Sequence, residues 1–182
     1  MIKNMETAER DAVLRVADGM VAAARTAPKG SGKDKVISMV ITGEDKDKLA
    51  VTMRELYKET GIEIYNRDAG NVDASHAVVL MGAKAEPFGF ACGMCGYENC
   101  GKMAKAGANC VFNITDLGIA VGSAVSLAAD NRIDNRVMYT VGQGGIRMGC
   151  FPKDVRVAYG IPLYTGSKSI FFDRNAGAIL LD

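Results

Sequence analysis

The sequence has no tryptophan, a single histidine and no excess of either charge. With 22 Lys and Arg against 21 Asp and Glu, the net charge is +1, which removes the main electrostatic reason to expect nucleic acid or an anionic membrane as a partner. No apolar run reaches the roughly 18–20 residues that a membrane helix needs. Acidic residues interrupt the N-terminal stretch where a signal peptide would be apolar. We therefore expect a cytoplasmic protein with no nucleic-acid or membrane partner.

The length of 182 residues and the hydrophobic fraction of 48% suit one domain over 1–182 with a sizeable core. Apolar residues recur at helical spacing, and β-branched residues mark short strands. The helices are predicted at 7–25, 44–61 and 116–130, and the strands at 36–42, 62–66, 76–82, 136–142 and 154–164. This order indicates an α+β sandwich of helices around one mixed or antiparallel sheet.

The helix predicted at 116–130 is apolar on nearly all faces. Such a helix is either buried on several sides or part of a subunit interface, so we expect a homodimer. Asp116, Asp130 and Asp134 are interpreted as helix-cap and turn residues and not as a catalytic carboxylate pair. The single histidine has no evident partner, which argues against Ser-His-Asp and Cys-His nucleophiles.

Four of the five cysteines, Cys92, Cys95, Cys100 and Cys110, fall within nineteen residues, and Cys150 stands apart. An odd count without a signal peptide suits a metal or redox centre better than disulfide bonds. Four thiolates are the number that holds a 4Fe–4S cluster. The Cys-rich segment 88–112 is therefore predicted to be a cluster-binding insert.

Glycines 93, 96 and 101 interleave with these cysteines and allow the backbone to wrap closely around a cluster. Cys100 is expected in the first turn of a short helix. Two alternatives remain at this point, a structural zinc site and thiols without a ligand. Cys150 is interpreted as a buried free thiol, although a return of 136–150 over the cysteine loop would make it the fourth ligand in place of Cys110.

The segment CGMCGYENCGKM resembles the core of the 4Fe–4S domain of electron-transport and CO-dehydrogenase-associated proteins. It matches the first three cysteines and both glycines of that pattern, and its fourth cysteine comes sooner. From Ala91 onward, most of the chain resembles an uncharacterised family of ferredoxin-domain-containing proteins. The resemblance implies a cluster-binding protein and does not imply a reaction.

The order of helices and strands also resembles that of the nitroreductase family. The similar features are the helix over 7–25 with the loop and strand that follow it, the apolar helix at 116–130, and the strand at 154–164. That family implies an α+β fold, a homodimer with the apolar helix in its interface, and FMN bound between subunits. The sequence has no counterpart of the Arg-Arg-Ser-x-Arg segment that holds the FMN phosphate there. We therefore expect FMN binding to be weak or absent.

Two segments are candidates for an FMN phosphate. One is the glycine-rich stretch 141–149, in which Gly144, Gly145 and Arg147 offer amides and a cation; the other is the loop with Arg25, Lys29 and Ser31. A structural turn and a solvated loop are the plain alternatives. The interpretation is one-electron transfer through a 4Fe–4S cluster with an unknown redox partner protein. The alternatives are an FMN-dependent reductase fed by the cluster and a zinc- or cluster-stabilised structural module.

Overall fold

A computed structural model describes residues 2–173. The helices are α1 (Met5–Thr26), α2 (Gly43–Thr60), α3 (Glu63–Ala74), α4 (Cys100–Lys105), α5 (Val111–Asp130) and α6 (Tyr139–Arg147). The strands are β1 (Val36–Ile41), β2 (Ala77–Lys84), β3 (Asp134–Asn135) and β4 (Val155–Tyr164). A single 3₁₀ turn, Gly30–Gly32, lies between α1 and β1.

The strands form one open sheet in the order β1-β2-β4-β3, and every neighbouring pair is antiparallel. Strand β2 lies between its two long neighbours, with Ala83 opposite Val36 of β1 and Ala77 opposite Leu163 of β4. Helices cover both faces of this sheet. The predicted α+β class with one antiparallel sheet is confirmed.

Strand β2 is buried on both faces, and its alternating side chains feed two separate hydrophobic cores. Val79 and Met81 belong to the core under α1 and α5. Val78 and Leu80 belong to the core under α2, α3 and α6. The two faces of the sheet therefore define two sides of the molecule.

The predicted strand at 62–66 is wrong, because these residues lead into and begin helix α3. Gly61 ends α2 with φ of 72°, the left-handed conformation that glycine tolerates, and its N–H donates to the carbonyl of Tyr57. After that turn, Tyr65, Ala69 and Val72 recur at helical spacing and are buried. The helical spacing of apolar residues along the longer segment therefore determines the structure, and not the short alternation of apolar and polar residues in 62–66.

The predicted strand at 136–142 and the glycine-rich turn after it are also wrong, since residues 139–147 form α6. Gly142 lies where α6 meets β4, and a Cβ at this position would stand 2.0 Å from the carbonyl oxygen of Ala158. Glycine is needed here because the helix backbone packs directly on the strand backbone.

Helix α5 begins five residues before its predicted start, so Asp116 lies inside it and is not a cap, which corrects the prediction. Asp116 is 3% exposed, and its Oδ2 accepts a hydrogen bond of 2.9 Å from the N–H of Gly30. This contact ties α5 to the 3₁₀ turn after α1.

Within residues 2–173, α5 is the one helix whose length and composition would allow it to cross a membrane. That is weak evidence for a membrane span, because core helices of soluble proteins have the same character. Leu117, Ala120 and Ala124 of α5 are fully buried in the core beneath α1. We therefore interpret α5 as a core helix.

Candidate metal centre

All four clustered cysteines, Cys92, Cys95, Cys100 and Cys110, line one small concavity with a cavity volume of about 10 Å³. They differ in exposure: Cys92 is exposed, Cys95 and Cys100 are half-buried, and Cys110 is 8% exposed. The fold therefore brings together thiols that span nineteen positions of the sequence. No helix or strand lies between residues 85 and 99, so the first two thiols are carried by a loop.

The loop turns repeatedly through left-handed backbone conformations. Gly93 and Gly96 have φ of 72° and 80°, and the N–H of Gly96 donates to the carbonyl of Gly93 over 2.9 Å. Ala91, which precedes Cys92, also has a positive φ of 49°, which costs a residue with a Cβ some strain. Gly93 and Gly96, two of the three glycines predicted to wrap the backbone around a cluster, form tight turns beside the thiols, whereas the third, Gly101, lies inside α4.

Cys100 is the first residue of α4, as predicted. The side chain of Asn99 caps this helix by accepting a hydrogen bond of 2.9 Å from the N–H of Lys102. Met103 on the next turn is 1% exposed and packs with Phe88 and Cys110 in a small hydrophobic cluster. The cap and this cluster fix the position of the third thiol relative to the fourth.

An aromatic wall of three rings stands beside the cysteines. Phe88 and Phe90 stack with centroids 5.1 Å apart, and the ring of Phe112 meets Phe90 edge-on at the same distance. Phe90 remains 40% exposed. Phe88 and Phe112 join this wall to the small hydrophobic cluster that contains Cys110.

The donor set fits an iron–sulfur cluster in number and in kind, because four thiols face one cavity beside glycine turns. Within residues 2–173, no group of three or more His, Cys, Asp or Glu side chains is spaced to hold a metal ion. A single zinc ion would require all four sulfurs to converge on one point. A cluster distributes its four ligands over four irons, so its thiols stand farther apart than those of a zinc site.

Cys150 lies away from this concavity. It packs against the core of α2, α3 and α6, whereas the cysteine cavity adjoins the start of α5. Burial, and then the negative charge of Asp45, raise the pKa of the Cys150 thiol. A half-buried thiol with a raised pKa is the free cysteine that the sequence predicted.

The loop residues proposed for an FMN phosphate are engaged elsewhere. The ammonium of Lys29 donates to the carbonyls of Ala24, Arg25 and Ala27, so it closes the end of α1. The Arg25 guanidinium pairs with Asp34 over 2.6 Å. Ser31 is exposed at the tip of the 3₁₀ turn, with a positive φ of 51°. The Lys29 side chain is 4% exposed and committed to these carbonyls, whereas the Arg25 side chain is 73% exposed and its ion pair is open to solvent.

The second candidate segment lies inside α6. A Cβ on Gly144 would stand 2.7 Å from Met53, and one on Gly145 would stand 2.6 Å from Leu80, so both glycines face packed side chains. Arg147 pairs with Glu59 over 2.6 Å. Since α6 and the loop after α1 cover opposite faces of the sheet, one chain does not bring the two segments together.

Sequence reasoning missed Lys35, Asn113 and Arg156, which hold the ends of the cysteine loop. Arg156 on β4 donates to the carbonyl of Gly107, between α4 and α5, over 2.8 Å. Lys35 and Asn113 contact the segment that leaves β2. These are side-chain bonds to backbone carbonyls far away in the chain, and no local pattern in the sequence marks them.

Residues 106–174 match a family described as "Uncharacterized protein containing a ferredoxin domain". A protein of Archaeoglobus fulgidus, itself described as uncharacterized, is 38% identical over 183 residues, which covers 96% of this chain and 98% of that protein. The chain belongs to this ferredoxin-domain family. The matched segment includes Cys110 and Cys150 and begins after Cys100.

Solved structures of low sequence identity share the fold. A nitroreductase from Lactococcus lactis in complex with chloramphenicol is 14% identical, with a TM-score of 0.58 over 100% of this chain and 90% of that one. A nitroreductase with bound FMN from Desulfitobacterium hafniense is also 14% identical, with a TM-score of 0.57 over 93% and 81% of the two chains.

A longer structure shows the same similarity. The chain covers 58% of the hypothetical oxidoreductase YcnD from Bacillus subtilis, which is 15% identical with a TM-score of 0.54 over 85% of this chain. At these identities the likeness shows the fold alone, and the resemblance to the nitroreductase frame is confirmed at that level. Family and fold together suggest a redox function.

Proposed function

We propose that this protein binds one 4Fe–4S cluster through Cys92, Cys95, Cys100 and Cys110 and serves in one-electron transfer between redox proteins. The single observation that carries the proposal is the meeting of these four thiols at one concavity. All five cysteines are free, which suits the reducing cytoplasm that we propose as the location.

The four cysteines differ in exposure, and so in the role that each would have at this site. Three thiols are at least partly accessible, so a cluster can be loaded from outside, while Cys110 anchors it on the protein side. Phe88 and Phe112 pack in the hydrophobic cluster that holds Cys110 in place. When bound, such a cluster supplies reversible exchange of one electron with a donor or acceptor protein.

The exposed Cys92 side of the loop is where an electron partner approaches most closely. Met94 and Tyr97 on the same loop are 63% and 36% exposed and provide apolar contact area there. The chain itself needs no proton donor for this activity, since outer-sphere electron transfer neither makes nor breaks a bond.

Anaerobic purification with iron, sulfide, zinc and flavin analysis of one sample tests the proposal. About four iron and four sulfide per chain, with a brown colour, are the expected result. A stoichiometric zinc ion without sulfide would establish the structural module instead. A colourless chain that takes up neither metal, even after reconstitution with iron and sulfide, would overturn both metal proposals.

The cluster-fed flavin reductase remains the second candidate, favoured by the shared fold and by the FMN in one structural neighbour. The residues proposed for the FMN phosphate do not support it, because Lys29, Arg25 and Arg147 already have partners. We therefore expect FMN to be lost on dialysis. Stoichiometric FMN that survives extensive dialysis would favour the reductase.

We also propose that the protein is a homodimer that pairs through α5. The outward face of this helix carries no charge before its last residue, Asp130, and has Gly118, Ile119, Gly122 and Ser126 among its exposed or half-buried residues. Nothing lies within 4 Å of a Cβ built on Gly118 or Gly122, so a second helix can approach closely. Ile119 is 41% exposed and would be covered.

A further inference from the structure

The segment that leads from β2 into the cysteine loop is held by two side chains from distant parts of the chain. The Nδ2 of Asn113 donates to the carbonyls of Lys84 and Glu86, each over 2.7 Å. The Nζ of Lys35 donates to the carbonyls of Glu86 and Pro87, each over 3.0 Å. The backbone carbonyls of residues 84, 86 and 87 are thus held in place by Asn113, by Lys35 or, at residue 86, by both.

Asn113 can do this in one orientation only. Two carbonyl acceptors require the NH₂ end of the amide, so its Oδ1 points the other way and has no partner. The residue is 2% exposed, and an unpaired buried oxygen has a cost in stability. Asn113 follows Cys110 by three residues in the first turn of α5, so one helical turn carries both the last thiol and this contact.

Lys35 adds a second kind of contact. Its ammonium lies 4.9 Å from the centroid of the Phe88 ring, and its side chain is 11% exposed. Phe88 in turn packs with Met103 and Cys110. Lys35 therefore contacts both the carbonyls that precede the cysteine loop and Phe88 of the small hydrophobic cluster. Its partial burial strengthens the cation–π interaction with that ring.

We propose that Lys35 and Asn113 are positioning residues that set the cysteine loop against the start of α5, and so set the distance between Cys92 and Cys110 in a cluster-ready arrangement. The inference rests on the proposed cluster function for its purpose, but the contacts themselves belong to the metal-free chain. Without them, residues 85–99 have no helix or strand to hold their position.

The test uses the variants Lys35→Met and Asn113→Leu, which keep the size of each side chain and remove its donors. Cys110 and Cys150 in the metal-free protein are alkylated under the same conditions, and each is followed by peptide mass spectrometry. We expect the rate at Cys110 relative to Cys150 to rise about tenfold, the factor that a loss of 1.4 kcal/mol in loop closure produces.

Cys150 is an internal control, because it packs against the core of α2, α3 and α6 and not in the cluster that contains Cys110. A merely structural defect that loosens the whole fold would accelerate both thiols together, and that result would overturn the inference. Lys3→Met removes an exposed ion pair with Asp11, and Asn131→Leu removes an exposed bond at the far end of α5; both should leave the ratio unchanged.

Lys35→Arg supplies the rescue test, because it keeps a cation and several donors and should restore the wild-type ratio. If Asn113→Leu does not fold, Lys35→Met alone decides the question, and an unchanged ratio in that variant overturns the inference.

The holoprotein separates this inference from the proposed function. In a wild-type chain that holds a cluster, both variants should lose iron in air about tenfold faster, in step with the thiol ratio. If the ratio changes while the wild-type chain never takes up iron and sulfide, the positioning role stands and the cluster function fails. Cluster loss at the wild-type rate in a variant with a changed ratio would refute the link between loop position and cluster retention.

Discussion

Cys110 and Cys150 lie in separate hydrophobic clusters. Cys110 faces the concavity that the other three clustered thiols share, whereas Cys150 packs against the core of α2, α3 and α6. Phe88 and Met103, which pack with Cys110, do not belong to that core. The sequence alone left both cysteines open as the fourth ligand, and this arrangement favours Cys110.

We predict that Cys110→Ser loses most of the iron and sulfide, because a hydroxyl is a poor replacement for a soft thiolate. The matched variant Cys150→Ser should retain the full cluster content, since its side chain does not face the cavity. Iron and sulfide analysis of both anaerobic samples measures this. If Cys150→Ser bleaches the protein and Cys110→Ser stays brown, the proposed ligand set is wrong.

The helices and strands with strong periodicity were predictable from sequence, and so was the grouping of the four cysteines by their spacing. The segments at 62–66 and 136–142 were not, because short apolar alternations fit a strand and one turn of a helix equally well. The structure of each segment depends on a glycine. Gly61 ends α2 just before the first segment, and Gly142 allows α6 to pack closely on β4 in the second.

At the candidate site, the grouping of the four cysteines was predictable, and the side chains that hold the cysteine loop in place were not. Cysteines that could bind a metal, and glycines that could form turns, can be recognised in a sequence by their type and spacing. Lys35 and Asn113 act on backbone carbonyls about fifty and twenty-nine positions away, and such contacts exist only once the sheet and α5 are assembled. The position of Lys29 in a polar loop likewise suggested an anion site, whereas in the structure its ammonium donates to backbone carbonyls at the end of α1.

The reactivity of Cys150 should depend on pH in a defined direction. Burial and the Asp45 carboxylate raise its pKa, so the thiol stays neutral in the folded chain at a pH where an unfolded thiol already ionises. Stability from this group is therefore fully present below the unfolded pKa and is lost as pH rises through the folded one. We predict slow alkylation of Cys150 at neutral pH and a midpoint above that of a free thiol.

Asp45→Asn removes the like charge and should lower the midpoint of the pH profile for alkylation of Cys150. Glu44→Gln, an exposed neighbour on the same turn of α2, is the control and should leave the midpoint unchanged. An identical profile in wild type and Asp45→Asn would show that Asp45 does not act on this thiol.

Pairing through α5 predicts a dimer in solution at micromolar concentration. Gly122→Leu places a bulky side chain on the outward face of the helix, where it has room in one chain and none against a closely packed second helix. We expect light scattering to give a dimer for the wild type and a monomer for Gly122→Leu, with unchanged helix content by circular dichroism. A monomeric wild type would refute the pairing, and a dimeric Gly122→Leu would place the interface elsewhere.

The glycines of α6 and α3 provide a matched test of helix–sheet packing. A Cβ on Gly142 would stand 2.0 Å from the carbonyl oxygen of Ala158, and because both atoms belong to backbone elements, neither side can give way by changing a rotamer. We expect Gly142→Ala to lower the free energy of unfolding by about 3 kcal/mol or more. Gly70 in α3 has nothing within 4 Å of its Cβ position, so Gly70→Ala should instead raise it by about 0.5–1 kcal/mol through helix propensity. Urea denaturation followed by circular dichroism measures both changes. Equal effects of the two substitutions would mean that α6 does not lie on β4 at the distance described, and would remove the packing reason for the glycine-rich segment.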